Sequence, residues 1–187
     1  MARQQKPGFG AAVETAAAFV FALVLVKATE IGLGISLAGF GIRPRQTDGL
    51  AGIVFSPLLH ASIAHLTSNA LPLLVLMTLL FWDRRYRPVS TLVTIWLASG
   101  VGTWLIGRGD SIHIGASSLI YGLVAFLIAS GLKLKSLRAV LVAVVVFLAY
   151  GGAVYGILPE NKQISWEGHL CGAIAGILTA RTGGNRS

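Results

Sequence analysis

The chain alternates between long apolar runs and shorter polar segments. The six apolar runs cover about residues 8–27, 64–82, 89–107, 114–132, 137–157 and 168–181. Lipid cannot satisfy backbone N–H and C=O groups, so a chain crosses a bilayer as helices of about 20 mostly apolar residues. The pattern therefore predicts an all-α membrane protein in which six transmembrane helices pack as one bundle, with residues 1–187 forming a single domain.

The connection between the first and second runs differs from the others. It extends from about residue 28 to 62, is rich in glycine and carries charged residues such as Arg43 and Asp48. An amphiphilic segment of this kind is expected to lie along the membrane surface. The first run follows Arg3 and Lys6 but lacks a small-residue cleavage site. We therefore expect a retained helix rather than a signal peptide.

Composition agrees with a membrane location. Hydrophobic residues make up 55% of the chain and charged residues only 12%, against roughly a quarter in soluble domains. The mean hydropathy is +0.76. The net charge of +8 would suit nucleic acid, but the basic residues fall in small clusters between the runs. We therefore expect no nucleic-acid partner. The single cysteine, Cys171, excludes an intrachain disulfide.

The distribution of charge predicts the orientation of the chain. If the N-terminus is cytoplasmic, ten of the fifteen basic residues lie in cytoplasmic segments. These ten are Arg3, Lys6, Arg84, Arg85, Arg87, Lys133, Lys135, Arg138, Arg181 and Arg186. Cytoplasmic loops of membrane proteins carry an excess of Lys and Arg. We therefore expect a multi-pass integral protein of a bacterial plasma membrane with both termini in the cytoplasm.

In this orientation, several polar residues meet at the outer ends of three runs. His65 and Asn69 begin the second run, Ser117 begins the fourth and His169 begins the sixth. Polar side chains at membrane depth are costly and usually serve a function. Because these residues come from separate segments and reach the same depth, they predict one site near the outer face.

The residue types at this site suit acyl transfer. Ser117 is the candidate nucleophile and His169 the general base that removes its proton. His65 and Asn69, four residues apart on one helix face, could donate to the oxyanion of a tetrahedral intermediate. The acidic residue nearest to His169 is Glu167, which we expect in a loop. The sequence therefore favours a Ser-His dyad over a triad.

Two other kinds of site have weaker support. Four histidines (His60, His65, His113 and His169) lie on the outer side, but the chain has no His-Glu-x-x-His motif. We therefore expect no metal site and no cofactor. The segment 107–110 reads Gly-Arg-Gly-Asp, similar to a motif of intramembrane aspartyl proteases. That chemistry needs two membrane-embedded aspartates, and the aspartates of this chain fall in loops.

Three motifs in succession resemble those of the rhomboid family of intramembrane serine proteases, over about residues 10–182. They are His60-x4-His65-x3-Asn69, then Gly115-Ala-Ser117 with Tyr121 four residues later, then Gly168-His169-x2-Gly172-x3-Gly176. The resemblance implies a six-helix fold in which Ser117 is the nucleophile and His169 the base. It assigns His65 and Asn69 to the oxyanion and Tyr121 to packing on the catalytic imidazole.

The resemblance also assigns supporting positions and shows two departures. Gly115 belongs to the serine motif, His60 is the first histidine of its motif, and Gly172 and Gly176 let the sixth helix approach the fourth. Ser118 stands where the family usually has Gly, and we expect modest crowding there. The first outer loop reads Leu-Ala-Gly-Ile at 50–53 where the family often has a Trp-Arg pair, which affects loop anchoring rather than catalysis.

The expected function is cleavage of transmembrane segments of other membrane proteins, so the partners are transmembrane protein substrates and the lipid bilayer. Residues 158–167 are the candidate cap over the site. One alternative is an inactive rhomboid-like protein that binds membrane helices, against which the presence of both Ser117 and His169 argues. Another is a small transporter, which would more often carry charges in several spans. Here Glu14, Lys27 and Glu30 all fall in or near the first run.

Overall fold

The structure is a computed structural model that describes residues 8–134, 136–159 and 164–183. This part of the chain is all-helical, with seven α-helices and short 3-10 segments. The helices are α1 (Phe9–Leu33), α2 (Gly52–Phe55), α3 (Ile63–Trp82), α4 (Pro88–Ile106), α5 (Ser117–Lys133), α6 (Leu137–Tyr150) and α7 (Trp166–Thr182). All of them except the short α2 correspond to the predicted apolar runs.

Two helix ends differ from the approximate ends of the predicted apolar runs. The first run was expected to end near residue 27, but α1 continues to Leu33 and stops at Gly34, whose φ of 62° is left-handed. The helix passes through Lys27 and Glu30, and these two side chains form an ion pair. At the other end of the chain, α6 stops at Tyr150, and the rest of the fifth run forms a 3-10 helix, Gly151–Ile157.

The helices have the apolar surface of a membrane protein. Four helical stretches of the described chain are long and apolar enough to cross a bilayer: Phe9–Leu33, Ile63–Trp82, Arg84–Ile106 and Leu137–Ile157. The helix Ser117–Lys133 is also apolar but shorter, and α7 has only 17 residues. The crossing of the membrane by all six helices stays a prediction.

Helix α5 occupies the centre of the bundle and packs against α3, α4, α6 and α7. The core combines leucines of α3 with leucines of α5, all fully buried: Leu73, Leu76, Leu80, Leu119, Leu123 and Leu127. The outer helices expose large apolar side chains instead, such as Phe21 on α1 and Leu148 on α6. The centre of the bundle is therefore packed around α5, and the outer helices present an apolar surface to lipid.

Helices α5 and α7 approach each other closely because α7 has no side chain where they touch. A Cβ at Gly172 would overlap the carbonyl oxygen of Ser118, and one at Gly176 would overlap that of Gly122. Small residues spaced four apart commonly allow such contacts between membrane helices. Gly168 continues the same spacing but faces the Ser165 hydroxyl instead of α5.

The segment between α1 and α3 contacts the C-terminal end of α4 and the loop that follows it. Ile42 pairs with His113 in an isolated antiparallel bridge, with N···O distances of 2.9 Å in both directions. Arg45 donates to the carbonyl of Gly107 at 2.8 Å, and the Trp104 indole donates to the carbonyl of Gln46 at 2.9 Å. These contacts fix the segment at the end of the bundle where α5 begins.

The opposite end of the bundle carries cationic side chains. Lys133 donates to the carbonyls of Ala180 and Arg181 at the end of α7. The Arg138 guanidinium lies 3.7 Å from the centre of the Trp82 ring, a cation–π contact between α6 and α3. The two ends of the molecule therefore differ in charge as well as in structure.

We predict that Gly172→Val lowers the thermal stability of the folded protein, because the new side chain must push α5 and α7 apart. Overpacking of this kind typically costs about 1–3 kcal/mol. Thermal unfolding in detergent micelles measures the effect. Gly32→Val on α1 is the matched control, since a Cβ there meets nothing within 4 Å. Equal losses in the two variants would show that the α5–α7 contact is not close.

Candidate active site

Ser117 and His169 meet at the start of two neighbouring helices. Ser117 is the first residue of α5, and His169 lies in the first turn of α7. The distance from His169 Nε2 to Ser117 Oγ is 2.9 Å, which is a hydrogen bond of ordinary length. The two residues predicted as nucleophile and base are therefore in hydrogen-bond contact, although 52 positions separate them in the chain.

The second ring nitrogen of His169 is bound by a backbone carbonyl. The distance from Nδ1 to the carbonyl oxygen of Gly156 is 2.8 Å. A carbonyl oxygen can only accept, so Nδ1 carries the proton of the neutral ring and Nε2 is left to accept from the serine hydroxyl. The carbonyl thus sets the tautomer that a general base requires.

This carbonyl could not be predicted from the sequence, because any residue at position 156 would supply one. What position 156 does require is the absence of a side chain, since a Cβ there would overlap the Tyr121 hydroxyl. The tyrosine ring stacks on the His169 imidazole, with ring centroids 4.0 Å apart and an interplanar angle of 10°. His169 is therefore held by a hydrogen bond at its edge and by an aromatic ring on its face.

His65 and Asn69 line the same cavity as the dyad. The cavity has a volume of about 820 Å³, and its wall includes His65, Asn69, Ser117, Tyr121 and His169. The Asn69 amide donates to the His65 carbonyl at 2.7 Å, so one of its two N–H groups is occupied within α3. The other remains to meet a ligand in the cavity.

Gly115 makes room for the His65 ring. Its φ of +112° is unfavourable for residues with a side chain. A Cβ at this position would also lie 2.6 Å from the ring of His65. The His65 ring also meets the His60 ring edge to face, with centroids 5.1 Å apart. His60 itself is buried. The first histidine of the motif thus packs against the second, away from Ser117.

Comparison with known proteins identifies the family of this chain. A family model of the rhomboid domain matches residues 47–186. The chain belongs to the rhomboid family. The match covers every helix described above except α1, which precedes it.

The rhomboid relatives of this chain include mycobacterial proteins. An uncharacterized protein of Mycobacterium tuberculosis is 44% identical over 170 residues, which cover 87% of this chain and 71% of the relative. An uncharacterized protein of Mycobacterium leprae is 40% identical over 170 residues, covering 87% of this chain and 67% of that protein. No solved structure matches the chain.

Glu167 was expected in a loop, but it belongs to the first turn of α7 and is buried. Its carboxylate pairs with Arg108, with 2.7 Å from Nε to Oε1. Arg108 also donates to the carbonyl of Ile164 at 2.7 Å, and His113 shares a hydrogen bond of 2.6 Å with Ser165. The ion pair of Glu167 with Arg108 thus joins the start of α7 to the residues that follow α4.

Three further predictions concern the surroundings of the site. The predicted cap spans residues 158–167, of which residues 160–163 lie outside the described part of the chain. Ser118, in place of the usual family Gly, lines a separate cavity of about 20 Å³ together with Thr103 and Gly168. Among the described residues, no group of three or more His, Cys, Asp or Glu side chains could hold a metal ion.

We predict that His60 makes folding of this rhomboid protein sensitive to acid. Burial, with His65 alongside, lowers the pKa of His60 from 6.5 to about 4. The unfolded chain therefore binds an additional proton between these pH values. The stability that neutral His60 contributes is complete above about pH 6.5 and is lost as the pH falls towards 4. Between pH 7 and pH 5 the loss amounts to about 2 kcal/mol.

Unfolding in detergent at pH 7, 6 and 5 tests this prediction. His60→Phe keeps an aromatic ring against His65 and removes the titrating group, so its stability should fall less on acidification than that of the wild type. The same pH dependence in both proteins would assign the acid sensitivity to other groups.

Proposed function

We propose that this rhomboid protein is an intramembrane serine endopeptidase that cleaves transmembrane segments of other membrane proteins. The observation that carries the proposal is the contact of 2.9 Å between Ser117 Oγ and His169 Nε2. The hydrogen bond of His169 Nδ1 to the carbonyl of Gly156 supports it, because a base oriented by a third group is the usual companion of a serine nucleophile.

The first half of the reaction forms an ester. His169 Nε2 takes the proton of the Ser117 hydroxyl as Oγ attacks the carbonyl carbon of the scissile peptide bond. The oxygen of that carbonyl becomes an oxyanion, and the side chains of His65 and Asn69 donate to it. His169 then passes its proton to the leaving amine. The C–N bond breaks and the substrate acyl group remains on Ser117 Oγ.

The second half releases the product. His169 removes a proton from a water molecule, and the resulting hydroxide attacks the ester carbon. The tetrahedral intermediate again places its oxyanion at His65 and Asn69. His169 returns the proton to Ser117 Oγ as the ester bond breaks, which frees a carboxylic acid and restores the enzyme. The cavity of about 820 Å³ that Ser117 and His169 line has room for the water that this step consumes.

Substrates are proposed to enter from the side of the bundle. The cavity wall includes Ser68 and Pro72 of α3 and Ala153 of the 3-10 helix that follows α6. A transmembrane segment that passes between these two elements brings its backbone to Ser117 without leaving the membrane. The glycines of the segment 151–156 suit a connection that moves aside during entry.

The proposed orientation places the site near the outer face of a bacterial plasma membrane. Lys133, Arg138 and Arg181 lie at the end of the bundle opposite Ser117. Positive charge favours the cytoplasmic side. The proposal therefore places both chain termini on the cytoplasmic side.

We predict that Ser117→Ala and His169→Ala each abolish cleavage, because attack and proton transfer both fail without them. Purified protein in liposomes is incubated with a model transmembrane substrate, and the products are separated on gels. Ser118→Ala, one position along the helix, is the matched control and should cleave at close to the wild-type rate. Cleavage by either dyad variant at the wild-type rate would refute the proposed mechanism, and a wild type that never cleaves would favour a helix-binding role.

A second prediction concerns the oxyanion. Asn69→Ala should lower kcat by roughly 10- to 1,000-fold with KM nearly unchanged, because loss of one oxyanion donor typically costs about 2.7–4 kcal/mol at full strength and His65 remains. Ser68→Ala is the control, since Ser68 lines the same cavity but its hydroxyl donates to the His65 carbonyl. If kcat of Asn69→Ala equals that of the wild type, Asn69 only packs within α3.

A further inference from the structure

An ion pair lies in the interior at the end of α1, on the side of the active site. Lys27 Nζ is 3.1 Å from Glu30 Oε2, and the Glu30 side chain is only 5% exposed. The other carboxylate oxygen of Glu30 accepts a hydrogen bond of 2.7 Å from the backbone N–H of Leu37. The Lys27 ammonium also donates to the backbone carbonyl of His60 at 2.9 Å. The pair therefore joins α1 to the segment that precedes α3.

Stability alone is a weak reason for such a pair. Removing two charges from water costs several kcal/mol per ion, and apolar residues of similar volume often stabilise a fold as well or better. Charged residues inside membrane proteins usually serve a function. The pair also does not face the dyad directly, so any contribution to catalysis passes through the residues that it holds.

The residue that Lys27 holds is His60, and the His60 ring packs on His65. The two rings meet at 5.1 Å between centroids with an interplanar angle of 68°. Gly115 also lies against the His65 ring, where a Cβ would collide with it. The position of the His65 ring thus depends on the backbone of His60, which the Lys27 ammonium binds.

We infer that Lys27 and Glu30 are positioning residues for His65 in the proposed peptidase reaction. The inference rests on the proposed function, since His65 matters there as an oxyanion donor. Glu30 pairs with the Lys27 ammonium, and Lys27 donates to the backbone carbonyl of His60. The His60 ring in turn packs on the His65 ring, which also lies against Gly115. Helix α1 precedes the region that matches the rhomboid family, so this chain uses a helix outside the matched domain to complete its site.

The test removes both charges together. The double variant Lys27→Met/Glu30→Gln leaves no unpaired charge, and the glutamine carbonyl oxygen can still accept from the N–H of Leu37. What it loses is the ammonium on the His60 carbonyl. Lys27→Arg retains a donor and is the conservative variant. Glu14→Gln, an exposed position nearer the start of the same helix, is the control for loss of charge.

We expect the double variant to melt within a few degrees of the wild type and to keep its KM, while kcat falls by roughly 10- to 100-fold, as for a displacement of about 1 Å. Lys27→Arg should recover most of the turnover. In a His65→Ala background the same double substitution should change kcat little, because the group that it positions is absent. An equal loss of kcat in both backgrounds, or a fall in the melting temperature that parallels it, would overturn the inference.

A measurement without substrate separates this inference from the proposed function. In protein labelled with ¹⁵N-histidine, the ring signals of His60 and His65 should shift in the double variant while those of His113 stay in place. Unchanged His65 signals would overturn the positioning role whether or not the protein cleaves. Shifted signals in a protein that never cleaves would retain the positioning role and refute the peptidase.

Discussion

The close approach of α5 and α7 is the constraint on which the site depends. Gly172 and Gly176 place the backbone of α7 directly against the carbonyls of Ser118 and Gly122. Because Ser117 begins α5 and His169 lies one turn into α7, the separation of the two helices sets the distance between their side chains. Apolar packing in a bilayer gives little guidance to helix pairs, so this close backbone contact is the natural means of fixing that distance.

The second requirement of the proposed reaction is an oriented base, and the groups that orient His169 include no carboxylate. The carbonyl of Gly156 binds one edge of the His169 ring, and Tyr121 covers its face. A buried carboxylate beside the dyad would carry a large desolvation cost at membrane depth. The nearby acidic residue, Glu167, pairs with Arg108 instead and secures the start of α7. The ion pair of Glu167 with Arg108 therefore stabilises the backbone around the site.

Much of this arrangement could be predicted from the sequence, since apolar runs and side-chain motifs leave direct signals. Six of the helices follow from runs of residues that lipid requires to be apolar, and Ser117 and His169 stand out as polar residues at the ends of such runs. Two features left no such signal. The Gly156 carbonyl belongs to the backbone, which every residue has. Helix α1 continues past Lys27 and Glu30, which pair with each other, whereas a count of apolar residues treats these charged positions as the end of the helix.

Ser117 is proposed as a nucleophile that His169 activates, and covalent labelling tests this without a natural substrate. A fluorophosphonate reacts with an activated serine, and peptide mass spectrometry locates the adduct. The account predicts one adduct on Ser117 in the folded wild-type protein, and none when His169 is replaced by Ala. No adduct on the wild-type protein, or an adduct on Ser117 that forms equally fast in His169→Ala, would contradict it.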